Sequence, residues 1–239
     1  MSRPPVTLSS DFGSGSPYVA AMKGVVLAQC PEASLVDVSH TIPPFDIRAA
    51  TFMVWAGTRH FSPGAIHLAV IDPGVGTARR AVALSVGRSF YVGPDNGVFD
   101  LVLEGREPDV AVVLPRPVTA SATFEGRDVF APAAGALAAG RAIEEMGEPV
   151  RELVHLPAAG PAVVWVDGFG NLVTNVRSAP RGLRINGRAV TAVVGTYGEV
   201  APGDLISYLG SMGYVEVGAR QARAADTLGA RPGDPVEVL

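Results

Sequence analysis

The run Ala65-Ile66-His67-Leu68-Ala69-Val70-Ile71 does most to limit what this chain can fold into. It is almost continuously apolar, as a buried strand is. It stops abruptly at Asp72-Pro73-Gly74-Val75-Gly76-Thr77, and Arg79 and Arg80 follow. Pro73 cannot continue a central strand, and the two glycines permit positive φ and close backbone approach. The segment therefore reads as a tight loop at the carboxyl end of a strand, which is where open α/β sheets bind ligands. Asp72 stands at the tip, with Arg79 and Arg80 within reach. An ordinary turn carrying a solvated ion pair accounts for this stretch equally well.

The same order of strand, polar loop and helix recurs before and after it. Val6-Thr7-Leu8-Ser9-Ser10 is a strand ending in Asp11-Phe12-Gly13-Ser14-Gly15-Ser16-Pro17. Val19, Met22, Val25, Val26 and Cys30 then recur at helical spacing, with Ser16 or Ser14 as the cap and Pro17 at the first position. The loop lacks a Gly-Lys-Ser/Thr ending and is not a phosphate loop. Asp11 suits ribose hydroxyls or a metal, or is simply a loop aspartate. Leu35 to Ser39 is a second strand, and the rigid His40-Thr41-Ile42-Pro43-Pro44-Phe45-Asp46 loop leads to a helix over 47–58. Phe45 either offers an aromatic face to a ligand or plugs the edge of the core. A hairpin over 81–92 precedes the turn Gly93-Pro94-Asp95-Asn96-Gly97, and a strand over 110–114 precedes a helix opening at Thr123-Phe124-Glu125-Gly126-Arg127-Asp128. Gly126 would let a ligand come close to the backbone. This repetition predicts a layered α/β domain with a mainly parallel sheet over residues 1–156.

The grammar changes at the proline- and glycine-bearing linker 157–161. Over residues 162–239 the apolar runs are short and separated by turns such as Asn186-Gly187 and Pro202-Gly203-Asp204. They predict a smaller all-β domain, barrel-like or a sandwich, with slight helix near 222–228. Two polar turns stand out there: Asp167-Gly168-Phe169-Gly170-Asn171 and Gly210-Ser211-Met212-Gly213-Tyr214.

Composition narrows the function. A net charge of −4 with no Lys/Arg block argues against nucleic acid or a membrane surface as the partner. No apolar run is long enough to span a bilayer, and nothing resembles a signal-peptide core, so a cytoplasmic protein is expected. The lone Cys30 excludes an internal disulfide and a cysteine-rich zinc site.

Taken together, six segments resemble the S-adenosyl-L-methionine (SAM) hydroxide adenosyltransferases, the adenosine-forming SAM hydrolases to which the SAM-dependent fluorinating and chlorinating enzymes are related. They are Ser10-Asp11-Phe12-Gly13, the Asp72 loop with its arginines, Pro94-Asp95-Asn96-Gly97, Gly126-Arg127-Asp128-Val129-Phe130-Ala131-Pro132, Asp167-Gly168-Phe169-Gly170-Asn171 and Ser211-Met212-Gly213-Tyr214. The resemblance implies an α/β N-terminal domain, a β-barrel-like C-terminal domain, and a homotrimer binding adenosine between neighbouring subunits. SAM is then a substrate, with no cofactor and no metal. By the same resemblance Asp11 holds the ribose hydroxyls, Phe45 lines the sugar pocket, Asn171 meets the adenine with Phe169 nearby, Asp167 pairs with the methionine ammonium, and Ser211 meets its carboxylate. Asn96, Gly126 and Met212 belong to the same substrate-binding set. Asp72 and Arg79 match two members of a water-orienting triad. The third is usually His, and here its position is Glu125.

SAM is a sulfonium, so C5′ already carries a good leaving group. The expected chemistry is in-line attack by one oriented water, with Asp72 accepting its proton, Arg79 fixing Asp72, and Glu125 as a second acceptor. Glu125 turned towards solvent is the alternative. A desolvated halide beside these carboxylates would be repelled, which disfavours halogenation. Two other readings remain: a SAM- or adenosine-binding protein without catalysis, and a metal-dependent nucleotidase or nucleoside hydrolase using Asp11, Asp72, Asp95 and Asn96.

Overall fold

The structure, a computed structural model, describes residues 3–177 and 182–239. It divides into two compact units, Met1–Leu156 and Pro157–Leu239.

The first unit runs β1 (Val6–Ser10), α1 (Pro17–Gln29), β2 (Leu35–Ser39), α2 (Ile47–Thr58), β3 (Ile66–Val70), β4 (Ala81–Val86), β5 (Ser89–Pro94), α3 (Asp100–Leu103), β6 (Val110–Val113), α4 (Ala131–Ala138) and β7 (Glu148–Pro149). Helix α1 begins where the sequence places it: Ser16 caps it by accepting from the Tyr18 amide, and Pro17 holds its first position. Asp46 caps α2 in the same way through Ala49. The helix expected from Thr123 onward opens instead as a π-type turn, Gly126–Phe130, which continues into α4.

The seven strands form one sheet in the order β2-β1-β3-β5-β4-β6-β7. It is mixed rather than mainly parallel. β1 pairs in parallel with β2 and β3, and β3 with β5. β4 runs antiparallel to β5 and β6, as does β6 to β7. The reason is chain length: a parallel neighbour needs a crossover of a dozen or more residues, and only Gly87 and Arg88 separate β4 from β5. The parallel pair β1 and β3 sets the place of Asp11 and Asp72. β1 and β3 are buried along their whole length and paired in register from Val6 opposite Ile66 to Ser10 opposite Val70. Asp11 and the Ile71-Asp72 step therefore leave the sheet side by side at its carboxyl edge.

On one face, Val6, Leu8, Ile66, Leu68 and Val70 pack with Met22 and Val26 of α1 and with Phe130, Ala134 and Leu137 around α4. On the other face lies His67, 1% exposed, whose Nδ1 is 2.9 Å from Thr7 Oγ1 and whose ring stands beside Phe61 and Tyr91.

The second unit contains β8 (Val163–Val166), β9 (Leu172–Thr174), β10 (Leu183–Ile185), β11 (Arg188–Val190), β12 (Leu205–Leu209), β13 (Val215–Ala219), α5 (Ala224–Leu228) and β14 (Val236–Val238). Its described strands form two antiparallel sheets, β11-β10-β14 and β12-β13-β9-β8, around Leu172, Leu183, Ile185, Val215 and Val217. These described strands do not join into one closed ring. Asn186 and Gly187, both at positive φ, make the two-residue turn from β10 to β11.

Burial pushes His67 down from 6.5 to about 4. The unfolded chain gains this proton near 6.5 and the folded chain resists it until about 4, so stability is lost as pH falls across that window. The loss is on the order of 3 kcal/mol at its full extent. Chemical denaturation from pH 7 to 4 is expected to show this fall, and a His67→Phe variant should start lower, through the lost Thr7 bond, but decline less steeply.

Candidate functional site

Each unit carries a cleft with an exposed aromatic at its rim. The cleft of the first unit, ≈ 250 Å³, opens at the carboxyl ends of β1 and β3 and is lined by Asp11, Phe12, Phe45, Asp72, Phe124 and Glu125 among others. Four loops build it. The loop after β3 brings Asp72, with Arg79 behind it. The loop after β6 brings Glu125, with Arg116 behind it. The loop after β2 brings Phe45, and the loop after β1 brings Asp11 and Phe12. The first two are pressed together at Gly76, whose φ is +76° and where a Cβ would stand 2.7 Å from the Ala122 carbonyl oxygen.

At the floor of this cleft, Arg79 bridges two buried carboxylates. Its Nε donates to Asp72 Oδ1 at 3.1 Å and its Nη2 to Asp72 Oδ2, while the same Nη2 donates to Glu125 Oε2 at 2.6 Å. The three side chains are 6, 7 and 4% exposed for Asp72, Arg79 and Glu125 respectively. Glu125 is thus not turned to solvent. Its Oε1 takes Nε of Arg116 at 2.8 Å, and Arg116 also donates to the carbonyls of Thr77 and Arg79. Burial pushes the Asp72 carboxyl above its ordinary range. Arg79 and the Gly74 amide pull the other way, and the charge of Glu125 adds to the rise.

Asp11 Oδ2 accepts the Phe45 amide at 3.0 Å. Phe45 is 71% exposed and sits at φ 67°, a conformation uncommon for any residue but glycine. Behind Asp11, Ser10 Oγ lies 2.7 Å from His40 Nδ1, His40 Nε2 lies 3.0 Å from Asp37, and Lys23 reaches the other Asp37 oxygen at 2.6 Å. The His40 carbonyl also accepts the Gly13 amide. This chain fixes the base of the Asp11 loop. Gly126 lines the cleft at the start of the π-type turn.

Asn96 is placed differently. Its amide donates to the Ile71 carbonyl and accepts from the Val98 amide, bracing the end of β3, and it does not line this cleft. Asp95 is held by Arg80 at 2.8 Å and by the Val154 amide. Among the described residues no group of three or more His, Cys, Asp or Glu side chains is arranged to hold a metal ion.

The cleft of the second unit, ≈ 690 Å³, is lined by Asp167, Phe169, Asn171, Tyr197, Gln221 and Arg223 with Ala219 and Ala222. Phe169 is 81% exposed. Asp167 organises its own turn, accepting the Phe169 and Asn171 amides and the Asn171 side-chain amide at 2.8 Å. The other end of the Asn171 amide takes the Tyr197 hydroxyl at 3.0 Å. The chain of contacts continues through Tyr208 to Glu216. Burial raises the Glu216 carboxyl above its usual range, opposed by the Tyr208 hydroxyl. Ser211 and Met212 lie in the turn between β12 and β13 and do not line this cleft.

Sequence reading missed Arg116, His40, Tyr197, Tyr208, Glu216 and Arg223. Arg116 is a single arginine in a loop with no motif around it. The Tyr208–Glu216 pair had a faint signal, because a hairpin over 205–219 sets those two residues opposite each other.

The α/β unit carries an arginine-bridged carboxylate pair at its sheet edge, the β unit a turn whose Asn171 amide is held at both ends, and each opens a cleft of small-molecule size, as in an enzyme acting on a small substrate. The comparisons specify which. Residues 6–147 match the SAM hydroxide adenosyltransferase N-terminal domain and residues 161–237 the C-terminal domain. The chain is similar to the (R)-S-adenosyl-L-methionine hydrolase of Thermus thermophilus, 44% identical over 255 residues that cover 98% of this chain and 99% of that protein. It is 39% identical to the enzyme of the same name from Salinispora arenicola, over 99% of this chain and 98% of that one. A crystal structure of an uncharacterized conserved protein from Thermotoga maritima superposes with a TM-score of 0.92 at 28% identity, covering 98% of this chain and 100% of that one. The protein belongs to the SAM hydroxide adenosyltransferase family.

Because Gly76 combines a positive φ with a 2.7 Å approach to backbone, Gly76→Ala is expected to cost on the order of 1–2 kcal/mol. That is about 2–4 °C of melting temperature per kcal/mol for a chain of this size, readable by calorimetry.

Proposed function

We infer that the protein hydrolyses SAM to adenosine and L-methionine by attack of one oriented water on C5′. The observation that carries this reading is the buried Asp72–Arg79–Glu125 network opening onto a cleft that also holds Asp11 and the raised Phe45 ring. The leaving group is a neutral thioether, so no acid is needed to expel it. The barrier lies in placing a water in line and excluding others. Asp72 accepts the water's proton, and burial in this network makes it a stronger base than a solvated carboxylate. Arg79 holds Asp72 by two donors, which leaves carboxylate lone pairs for the water. Glu125 closes the other side as the second acidic group. The relatives' name specifies the (R) sulfonium, and we propose the same epimer here.

The remaining assignments belong to this proposal. Asp11 takes the ribose hydroxyls, with Phe45 over the sugar and Gly126 allowing close approach. Asn171 reads the adenine beside Phe169, Asp167 meets the methionine ammonium, and Ser211 with Met212 meets its carboxylate end. Asn96 supports Asp72 from behind rather than by contact. We propose a cytoplasmic homotrimer in which the catalytic unit, 1–156, of one subunit works with the β unit, 162–239, of the next, the two units of each chain being joined by the linker 157–161. Each unit carrying its own open cleft and exposed aromatic supports that reading.

The direct test is incubation with SAM in oxygen-18 water: label in the 5′-hydroxyl of adenosine is expected, and SAM bound without any adenosine formed would overturn the hydrolase reading. Asp72→Asn should lower kcat by about 10²–10⁴-fold with little change in KM. Since burial raises Asp72, kcat/KM should fall on the acid side at a pH above the ordinary carboxylate value of 3.8. Phe45→Gly should raise KM without lowering the melting temperature, because glycine adopts φ 67° freely. If the site is shared between subunits, co-refolded Asp72→Asn and Asn171→Ala chains should recover activity that neither has alone. Failure to recover any would place a complete site within one chain.

A further inference from the structure

Glu125 poses a problem that Arg79 alone does not solve. Two carboxylates, Asp72 and Glu125, share a single guanidinium nitrogen in a pocket where their side chains are 6 and 4% exposed. Like charges brought that close in low dielectric oppose each other's ionisation unless each is separately compensated. One arginine supplies one charge.

The second charge comes from Arg116. Its Nε lies 2.8 Å from Glu125 Oε1, the oxygen Arg79 does not touch. Its other two nitrogens donate to the carbonyls of Thr77 and Arg79, which lie in the loop that carries Asp72's partner. Arg116 is half on the surface, with 37% of its side chain exposed, and does not line the cleft. It reaches the reaction only through Glu125 and the loop backbone.

We propose that Arg116 is a positioning residue for the hydrolysis, which completes a neutral two-carboxylate, two-guanidinium network and so reserves Asp72 as the water's acceptor while Glu125 serves as the anchor between the two arginines. Both acids have each oxygen on a guanidinium donor, but Glu125 is held from two arginines, Arg79 and Arg116, and Asp72 from Arg79. The inference rests on the hydrolase reading above and adds to it a division of labour between the two acids. The charged groups facing Asp72 are Arg79 in contact, Glu125 across the shared Arg79 nitrogen, Arg116 behind Glu125, and Asp11 on the same cleft, with the Arg80–Asp95 pair braced on the neighbouring strand end. Of these, Arg116 is the one that compensates Glu125 without touching Asp72, and its removal makes the potential at Asp72 more negative while leaving the Arg79–Asp72 contact in place. The sign follows: without Arg116, Asp72 holds its proton to higher pH.

The test is a double-mutant cycle on full-length protein, following adenosine release from SAM across pH. Arg116→Met keeps the length and removes the charge. It is expected to lower kcat by about tenfold or more with a smaller change in KM, and to move the acid limb of kcat/KM to higher pH. Arg116→Lys should fall between it and wild type. In a Glu125→Gln background, where no second carboxylate needs compensation, Arg116→Met should have little further effect on the acid limb. An Arg116→Met profile that superimposes on wild type would overturn the inference, as would an acid-limb shift of equal size in both backgrounds. A merely structural arginine would lower the melting temperature and leave the limb in place. The hydrolase reading itself fails separately, if wild-type protein releases no adenosine.

Discussion

One guanidinium shared by two buried carboxylates is the contact on which the rest of this molecule depends. Arg79 uses Nε and Nη2 on Asp72 and the same Nη2 on Glu125, and its Nη1 caps the Arg80 carbonyl. Its guanidinium carbon also lies 5.3 Å from the centre of the Phe130 ring, at the start of α4. A lysine would offer a single point charge and no such geometry. Breaking a buried charge cluster of this kind is costly because each survivor is left uncompensated in an apolar surround. The loops after β3 and β6 are therefore joined by electrostatics as well as by the close backbone contact at Gly76.

The sheet supplies what this cluster needs. β1 and β3 are parallel, in register and buried, so their carboxyl ends deliver Asp11 and Asp72 to one edge with little freedom. The antiparallel half, β4 to β7, completes the sheet and brings round the 114–125 loop that carries Arg116 and Glu125. β6 is antiparallel to β4, which is antiparallel to β5, so β6 points the same way as β3 and its carboxyl end lies at the same edge, while the turn from β4 into β5 is what makes the sheet mixed.

The elements that were legible in the sequence are those whose signal is local. The Ser16 cap, the apolar run into Asp72, the short strands after residue 162 and the Asn186-Gly187 turn each depend on residues within a few positions of one another. Asp72, Arg79, Phe45, Asn171 and Phe169 could be singled out because they stand at strand tips and turns. Sheet direction was less legible, because a strand's own residues do not encode which way its neighbour runs. Arg116 was illegible for the same reason: its meaning lies in Glu125, nine positions away across a loop. Asn96 shows the converse. Its turn motif is plain in the sequence, but its amide is turned inward to the Ile71 carbonyl rather than outward to a ligand.

The Asn171 side chain has a further consequence. Its amide nitrogen is engaged by Asp167 and its oxygen by Tyr197, so it cannot rotate to suit whatever arrives. The part of the surface this side chain offers is set when the chain folds. Little ordering is then left to do at the moment of encounter, and a ligand presenting the wrong edge finds no compliant partner.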